Sequence, residues 1–182
     1  KTNENLLFLG TDNNLFVSTD RGTSWQDFSN GLPNVAVHDL VIQTKANELV
    51  VGTHGRSIYK VSIAKLQELT SKVVEKSVHL FKLEAKEKSK MWGEKYSSWE
   101  KTIEPKVTIW FYSNSEKEVV LTVENDKKTV LFTQKMIAKK GLNKVDYDLT
   151  LSKKEAENWN KRDKNVAIKE AKNQQYYLPI AK

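Results

Sequence analysis

Leu7-Phe8-Leu9-Gly10-Thr11-Asp12 returns 42 residues later as Leu49-Val50-Val51-Gly52-Thr53-His54. In each copy a second apolar run follows, Leu15-Phe16-Val17 in the first and Ile58-Tyr59 in the second. A repeat constrains the fold strongly, because each unit must stack on its neighbour to bury its apolar face. A period of about 40–45 residues holding four short strands is the spacing of a β-propeller blade. Two copies cannot close a ring that needs about four blades or more. The first copy also begins partway through its unit. The expectation is the C-terminal remnant of a propeller in a longer protein.

The rest of the first third fits this pattern. Leu6 to Leu9, Leu15 to Val17, Val37 to Ile42, Leu49 to Val51 and Ile58 to Ile63 are short apolar runs between Gly, Asn, Asp or Pro. That spacing leaves no room for the helices that parallel strands require. The period then changes. Leu66, Leu69 and Val73 fall at helical spacing and predict one amphipathic helix from about Ile63 to Glu75. The expected organisation is an incomplete set of propeller blades over 1–63, a helical linker over 64–77, and a second β domain over 78–182.

In that second domain, strand pattern returns at Val107 to Tyr112, Val119 to Val123 and Thr129 to Phe132, with a turn over Glu124 to Lys128. A further strand is expected over Lys144 to Leu149, where Val145, Tyr147 and Leu149 alternate. Several strands about ten residues apart suggest an antiparallel sandwich. Ser152-Lys153-Lys154-Glu155 is a capping box that predicts a helix to about Trp159. Residues 160–175 are polar and poorly patterned, as a loop is. The fold class expected is all-β: the last propeller blades, a short helix, and a sandwich.

Ser18-Thr19-Asp20-Arg21-Gly22-Thr23-Ser24-Trp25 fits the pattern Ser-x-Asp-x-Gly-x-x-Trp, the Asp box. Asp20 can accept hydrogen bonds from its own turn, and Gly22 can supply a positive φ. Ser18 can tie strand to turn, and Trp25 can pack under the hairpin. On these residues the chain resembles the BNR/Asp-box propeller family, close to sortilin-like and bacterial "glycosyl hydrolase" BNR proteins. Asn30 to Leu40 resembles that family's lead-in to its last blade, and Gly52 to Ile58 the hairpin that follows. Val78-His79-Leu80-Phe81 is similar to its exit from the propeller. Lys140 to Leu149 resembles a pattern in the FlgD-like, immunoglobulin-like domain appended to such propellers. The resemblance covers 1–81 and 105–151. The second repeat lacks the box, with Lys60 and Ser62 set against Ser18 and Asp20. Tyr176 to Ile180 resembles the lead-in to a last sandwich strand that does not follow.

The resemblance makes Ser18, Asp20, Gly22 and Trp25 structural residues of the box. It also implies a ligand face built from the turns Gly10–Asn14 and Gly52–Arg56 and the connection Asn34–Val37. Asp12, His54 and Arg56 are the candidate ligand-face residues. His38 and Asp39 are adjacent on a predicted strand, so their side chains should point to opposite faces and form no dyad; His38 is read as structural and His79 as linker packing. Asp12, Asp27 and Asp39 qualify as hydrolytic carboxylates by residue type only, and no catalytic residue is assigned. Trp92, Trp99 and Trp110 are expected to serve core packing and linker docking.

Composition removes other classes. With no cysteine there are no disulfides or thiolate metal sites. Three scattered histidines give no metal spacing, so neither metal nor cofactor is expected. No apolar run can span a bilayer, and Lys1 opens inside a polar–apolar alternation rather than a signal peptide. The net charge of +7 comes from lysines spread among glutamates, with 27 of the 30 basic residues lysine. Nucleic-acid faces favour the arginine fork, so no nucleic-acid partner is expected. The function expected is a non-catalytic, extracytoplasmic binding or scaffold module, its location implied by the resemblance. Its partner would be the remainder of its own propeller or a second chain, with a glycan or protein as ligand. The alternatives are part of a glycoside hydrolase whose carboxylates lie upstream, or an accessory subunit of a cell-surface complex. Unfinished sheet edges would make the 182-residue chain a poor autonomous folding unit.

Overall fold

A computed structural model describes residues 3–125, 127–162 and 167–179. Within them the chain is mostly β, arranged in small antiparallel sheets with few helices. Asp126, in the predicted Glu124–Lys128 turn, residues 163–166 of the predicted loop, and Ile180 of the expected Tyr176–Ile180 lead-in lie outside the described residues. The chain divides into two compact units. The first takes Lys1–His79 with Tyr112–Ser115 and Lys140–Leu142; the second takes Leu80–Phe111, Glu116–Lys139 and Asn143–Lys182.

The first unit is built from two three-stranded meanders. One runs β1 (Leu7–Gly10), β2 (Leu15–Ser18), β3 (Gln26–Asp27), and the other β4 (Val37–Gln43), β5 (Glu48–Thr53), β6 (Ile58–Ser62). The repeat is visible in the ladders: Leu7 faces Ser18 and Leu9 faces Phe16, while Leu49 faces Val61 and Val51 faces Tyr59. The second turn is one residue longer, so the partner of Ser18 in the repeat is Val61, and Ile63 stands for Asp20. Lys60 and Ser62 are each one residue off that register. The two meanders meet where the Val37 N–H donates to Thr11 O at 2.9 Å. Gly10 makes the approach possible, since a Cβ there would lie 2.6 Å from a Val37 methyl.

Leu15, Val17, Leu49, Val51, Ile63, Leu66 and Leu69 are buried in this unit. The predicted helix is two short pieces, α1 (Ala64–Gln67) and α2 (Ser71–Val74). Thr70 between them is extended, with ψ 165°, and restarts the helix by accepting from the Val74 N–H. Such short helices depend on packing and end contacts rather than propensity. Ile63, Leu66 and Leu69 supply the packing. Asn3 supplies the end contact: its amide donates to Leu69 O at 2.9 Å, and its own N–H donates to Gln67 Oε1 at 3.1 Å. Carbonyls that the helix end leaves open are thereby satisfied.

The other strands are β7 (Val78–Leu80), β8 (Val107–Ser113), β9 (Lys117–Glu124), β10 (Val130–Ala138), β11 (Gly141–Tyr147), β12 (Thr150–Leu151) and β13 (Tyr176–Tyr177). β8 is the centre of a sheet in the order β11-β8-β7; β9 pairs β10, and β12 pairs β13. In the second unit Phe111, Ala138 and Val145 form a core cluster with Val119, Leu121, Phe132 and Met136. The alternation of Val145 and Tyr147 is present, but β11 stops before Leu149, which turns the chain at φ +58°.

The capping box forms as expected. The Ser152 N–H donates to Glu155 Oε2 at 2.7 Å and the Glu155 N–H to Ser152 Oγ at 3.3 Å. The helix it starts, α3, runs Lys153–Arg162, three residues past Trp159. Part of the expected loop is ordered by contacts: the Asn160 side chain holds both main-chain groups of Ile168, which is buried with Leu151 and Ala156. The three tryptophans separate. Trp92 is buried edge-on to Tyr177, Trp110 lies under the Lys144 amine, and Trp99 is 86% exposed.

Candidate functional site

Two places in the first unit gather the residues singled out above. One is the end of the meanders that carries the β1–β2 turn, the β3–β4 connection and the β5–β6 turn. Each turn is closed by a threonine at the same repeat position: Thr11 Oγ1 donates to Asn14 O at 2.9 Å, and Thr53 Oγ1 donates to Ser57 O at 2.6 Å. Two main-chain bonds then join the loops. The Val37 N–H donates to Thr11 O, and the His54 N–H donates to Ala36 O at 3.0 Å. Asp12, His54 and Arg56 are all exposed on these loops.

His38, read above as structural, lies at this end too. A β-bulge interrupts β4 there: Val37 faces Thr53 and Asp39 faces Gly52, so His38 is the additional residue. Bulges break the strict alternation of faces, and His38 and Asp39 are both exposed. The His38 and His54 rings stand 4.9 Å apart, centre to centre. Asp39 accepts from the Leu40 N–H at 2.9 Å, and Asp27 from the Ser29 N–H at 2.8 Å. These two carboxylates, offered by residue type, are thus both engaged in local main-chain contacts.

The second place is the Asp20 turn between β2 and β3. Ser18, 1% exposed, donates to Asp20 Oδ1 at 2.8 Å and accepts from the Gly22 N–H at 2.8 Å. Asp20 also accepts from the Ser24 N–H at 2.8 Å and from the Ser24 hydroxyl at 2.5 Å. The Ser24 hydroxyl first, then its amide and Ser18, hold the Asp20 carboxyl below the usual aspartate range. Gly22 takes φ +87° and Arg21 φ +59°. Trp25 leans over the turn, its ring 3.7 Å from where a Gly22 Cβ would sit, and remains 40% exposed.

Beside this turn is a cleft of about 270 Å³, lined among others by Asp20, Ser24, Gln26, Tyr112, Asn114 and Lys140. Tyr112 donates to Val74 O at 3.3 Å, and burial raises its pKa, with a smaller contribution from Asp20. Tyr112 ends a predicted strand and Lys140 opens the Lys140–Leu149 pattern, but neither signal points to Asp20, and only the folded chain brings them to it. In the second unit another cleft, of about 240 Å³, sets Asp146 and Asp148 near Phe132. Asp146 is bound to Lys106 at 2.7 Å and accepts from Thr108 at 2.7 Å; Lys106 first lowers its pKa.

Among the described residues, no group of three or more His, Cys, Asp or Glu side chains is placed to hold a metal ion. Nor, among them, is any helix long and apolar enough to cross a membrane. The chain matches no protein-family model, no curated protein and no solved structure.

Proposed function

We propose that the chain is a non-catalytic binding or scaffold module, the end of an Asp-box propeller joined through α1 and α2 to an immunoglobulin-like sandwich. The observation that carries this reading is the repeat in three dimensions: in both copies the repeated run pairs antiparallel with the strand that follows it, Leu7 with Ser18 and Leu49 with Val61, the second turn being one residue longer. The closed Ser18–Asp20–Ser24 turn between paired strands supports it, because that is the context in which an Asp box fastens a blade. In this reading Asp20 is spent on its own turn. Ligand recognition belongs to the loop end with Asp12, His54 and Arg56, where loops vary on a rigid scaffold. The ligand is a glycan or protein outside the cytoplasm. The apolar side chains left on the sheet surfaces, Ile58 at 73% exposure and Val41 at 54%, are covered by further propeller blades or by a second chain.

A glycan and protein array probed with the 182-residue chain tests this. Binding should fall at least tenfold in Asp12→Ala and Arg56→Ala and stay unchanged in Asp20→Asn. Turnover of aryl glycosides that is lost in Asp12→Asn or Asp39→Asn would replace the reading with a glycoside hydrolase that uses carboxylates of this chain rather than upstream ones.

A further inference from the structure

The bulge in β4 has a chemical result. It turns His38 out of the ladder beside His54, which belongs to the turn between β5 and β6. Both backbones are held at the point of approach. Val37, before His38, donates to Thr11 O, and His54 itself donates through its N–H to Ala36 O. Two exposed imidazoles are thus set 4.9 Å apart, with their planes inclined by 35°.

We propose that His38 and His54 form a solvent-open chelate for a divalent transition-metal ion of the zinc type. A neutral imidazole nitrogen is a standard ligand for such ions. Two imidazoles bound to one tetrahedral zinc at about 2.0 Å per Zn–N bond have ring centres about 5 Å apart. The observed ring-centre separation of 4.9 Å matches that distance. With two protein ligands the site differs from closed four-ligand structural zinc. Water or a donor from a bound partner takes the remaining positions. The proposal rests on the bulge and the ring pair, not on the propeller reading.

Zinc chloride titrated calorimetrically into the 182-residue chain, in a non-chelating buffer, tests the site. One equivalent should bind, at least tenfold more weakly in His38→Ala and in His54→Ala, and unchanged in His79→Ala. Zinc should raise the melting temperature of the parent and not of either single variant, because a ligand of the folded state stabilises by mass action. A second readout needs no substitution: substoichiometric copper(II) should broaden the ring resonances of His38 and His54 before those of His79. Parent-like zinc affinity in either variant, no saturable one-equivalent uptake, or equal broadening of all three histidines would overturn the proposal. The last two would leave the ring pair as stacking alone.

Discussion

Leu7 and Leu49 hold the same place in the repeat, yet Leu7 is 41% exposed and Leu49 fully buried. Leu9 and Val51 differ in the same way, and the next strand reverses the order: Leu15 is buried while its equivalent, Ile58, is exposed. The cause is strand position. β5 is the centre of its meander and β1 an edge; β2 is a centre and β6 an edge. One apolar alternation therefore serves two environments. Periodicity reports which residues share a face, and the neighbours that reach that face decide whether it is buried. The exits differ as well. β2 leads into a polar turn closed on Asp20, whereas β6 leads through buried Ile63 into α1.

The contrast breaks most sharply at the paired leucines. Leu49→Ala should cost about 2–5 kcal/mol through a cavity, and Leu7→Ala under about 1 kcal/mol, in parallel denaturant titrations. Equal losses would mean that the β1 face is covered in solution. The paired glycines come next. Gly10→Ala forces a methyl against Val37 and should cost about 2 kcal/mol, while Gly52→Ala meets Asp39 Cβ at an ordinary 3.4 Å and should be nearly neutral. Third, Ser18→Ala leaves the partly buried Gly22 and Asp20 N–H groups without their acceptor and should lose about 1–3 kcal/mol. Val61→Ala at the equivalent, partly exposed position should lose less than about 0.5 kcal/mol.

Of the four destabilising changes, Asp20→Ala comes last, at about 1–2 kcal/mol with ligand affinity unchanged. Its pH dependence has a definite sign. The folded carboxyl titrates below its unfolded value, so its stabilisation is present above the usual aspartate range and is lost as pH falls through the folded value. The difference in melting temperature between the parent and Asp20→Asn should be flat above about pH 5 and shrink below it. A difference that grows on acidification would contradict the turn geometry.

Strands with apolar alternation were legible, as were the 42-residue repeat and the two local devices, the Asp20 turn and the Ser152–Glu155 capping box. Apart from the repeat, these depend on residues a few positions apart. Two-residue strands such as β3 and β12 carry too little pattern to be seen. The break at Thr70 was hidden because Leu66, Leu69 and Val73 keep helical spacing across it. Of the loop end, Asp12, His54 and Arg56 were legible through the turns that hold them. His38 was not, because the alternation rule assumes an unbroken ladder and the bulge breaks it. Tyr112 and Lys140 reach Asp20 only through long-range contacts.

Asn3 is separated by 66 positions from Leu69, whose carbonyl accepts its amide, and Asn5 by the same span from Ser71. Those few bonds fasten the two ends of a ring that contains both meanders. Closing a ring of that size costs chain entropy that rises with the logarithm of its length. The clasp should therefore form after the local hairpins during folding, and it stores little of the energy of the meanders it encloses. Tension applied at residue 3 would open the clasp before any strand is sheared, and the first extension in a pulling experiment would free α1 and α2 from the start of the chain.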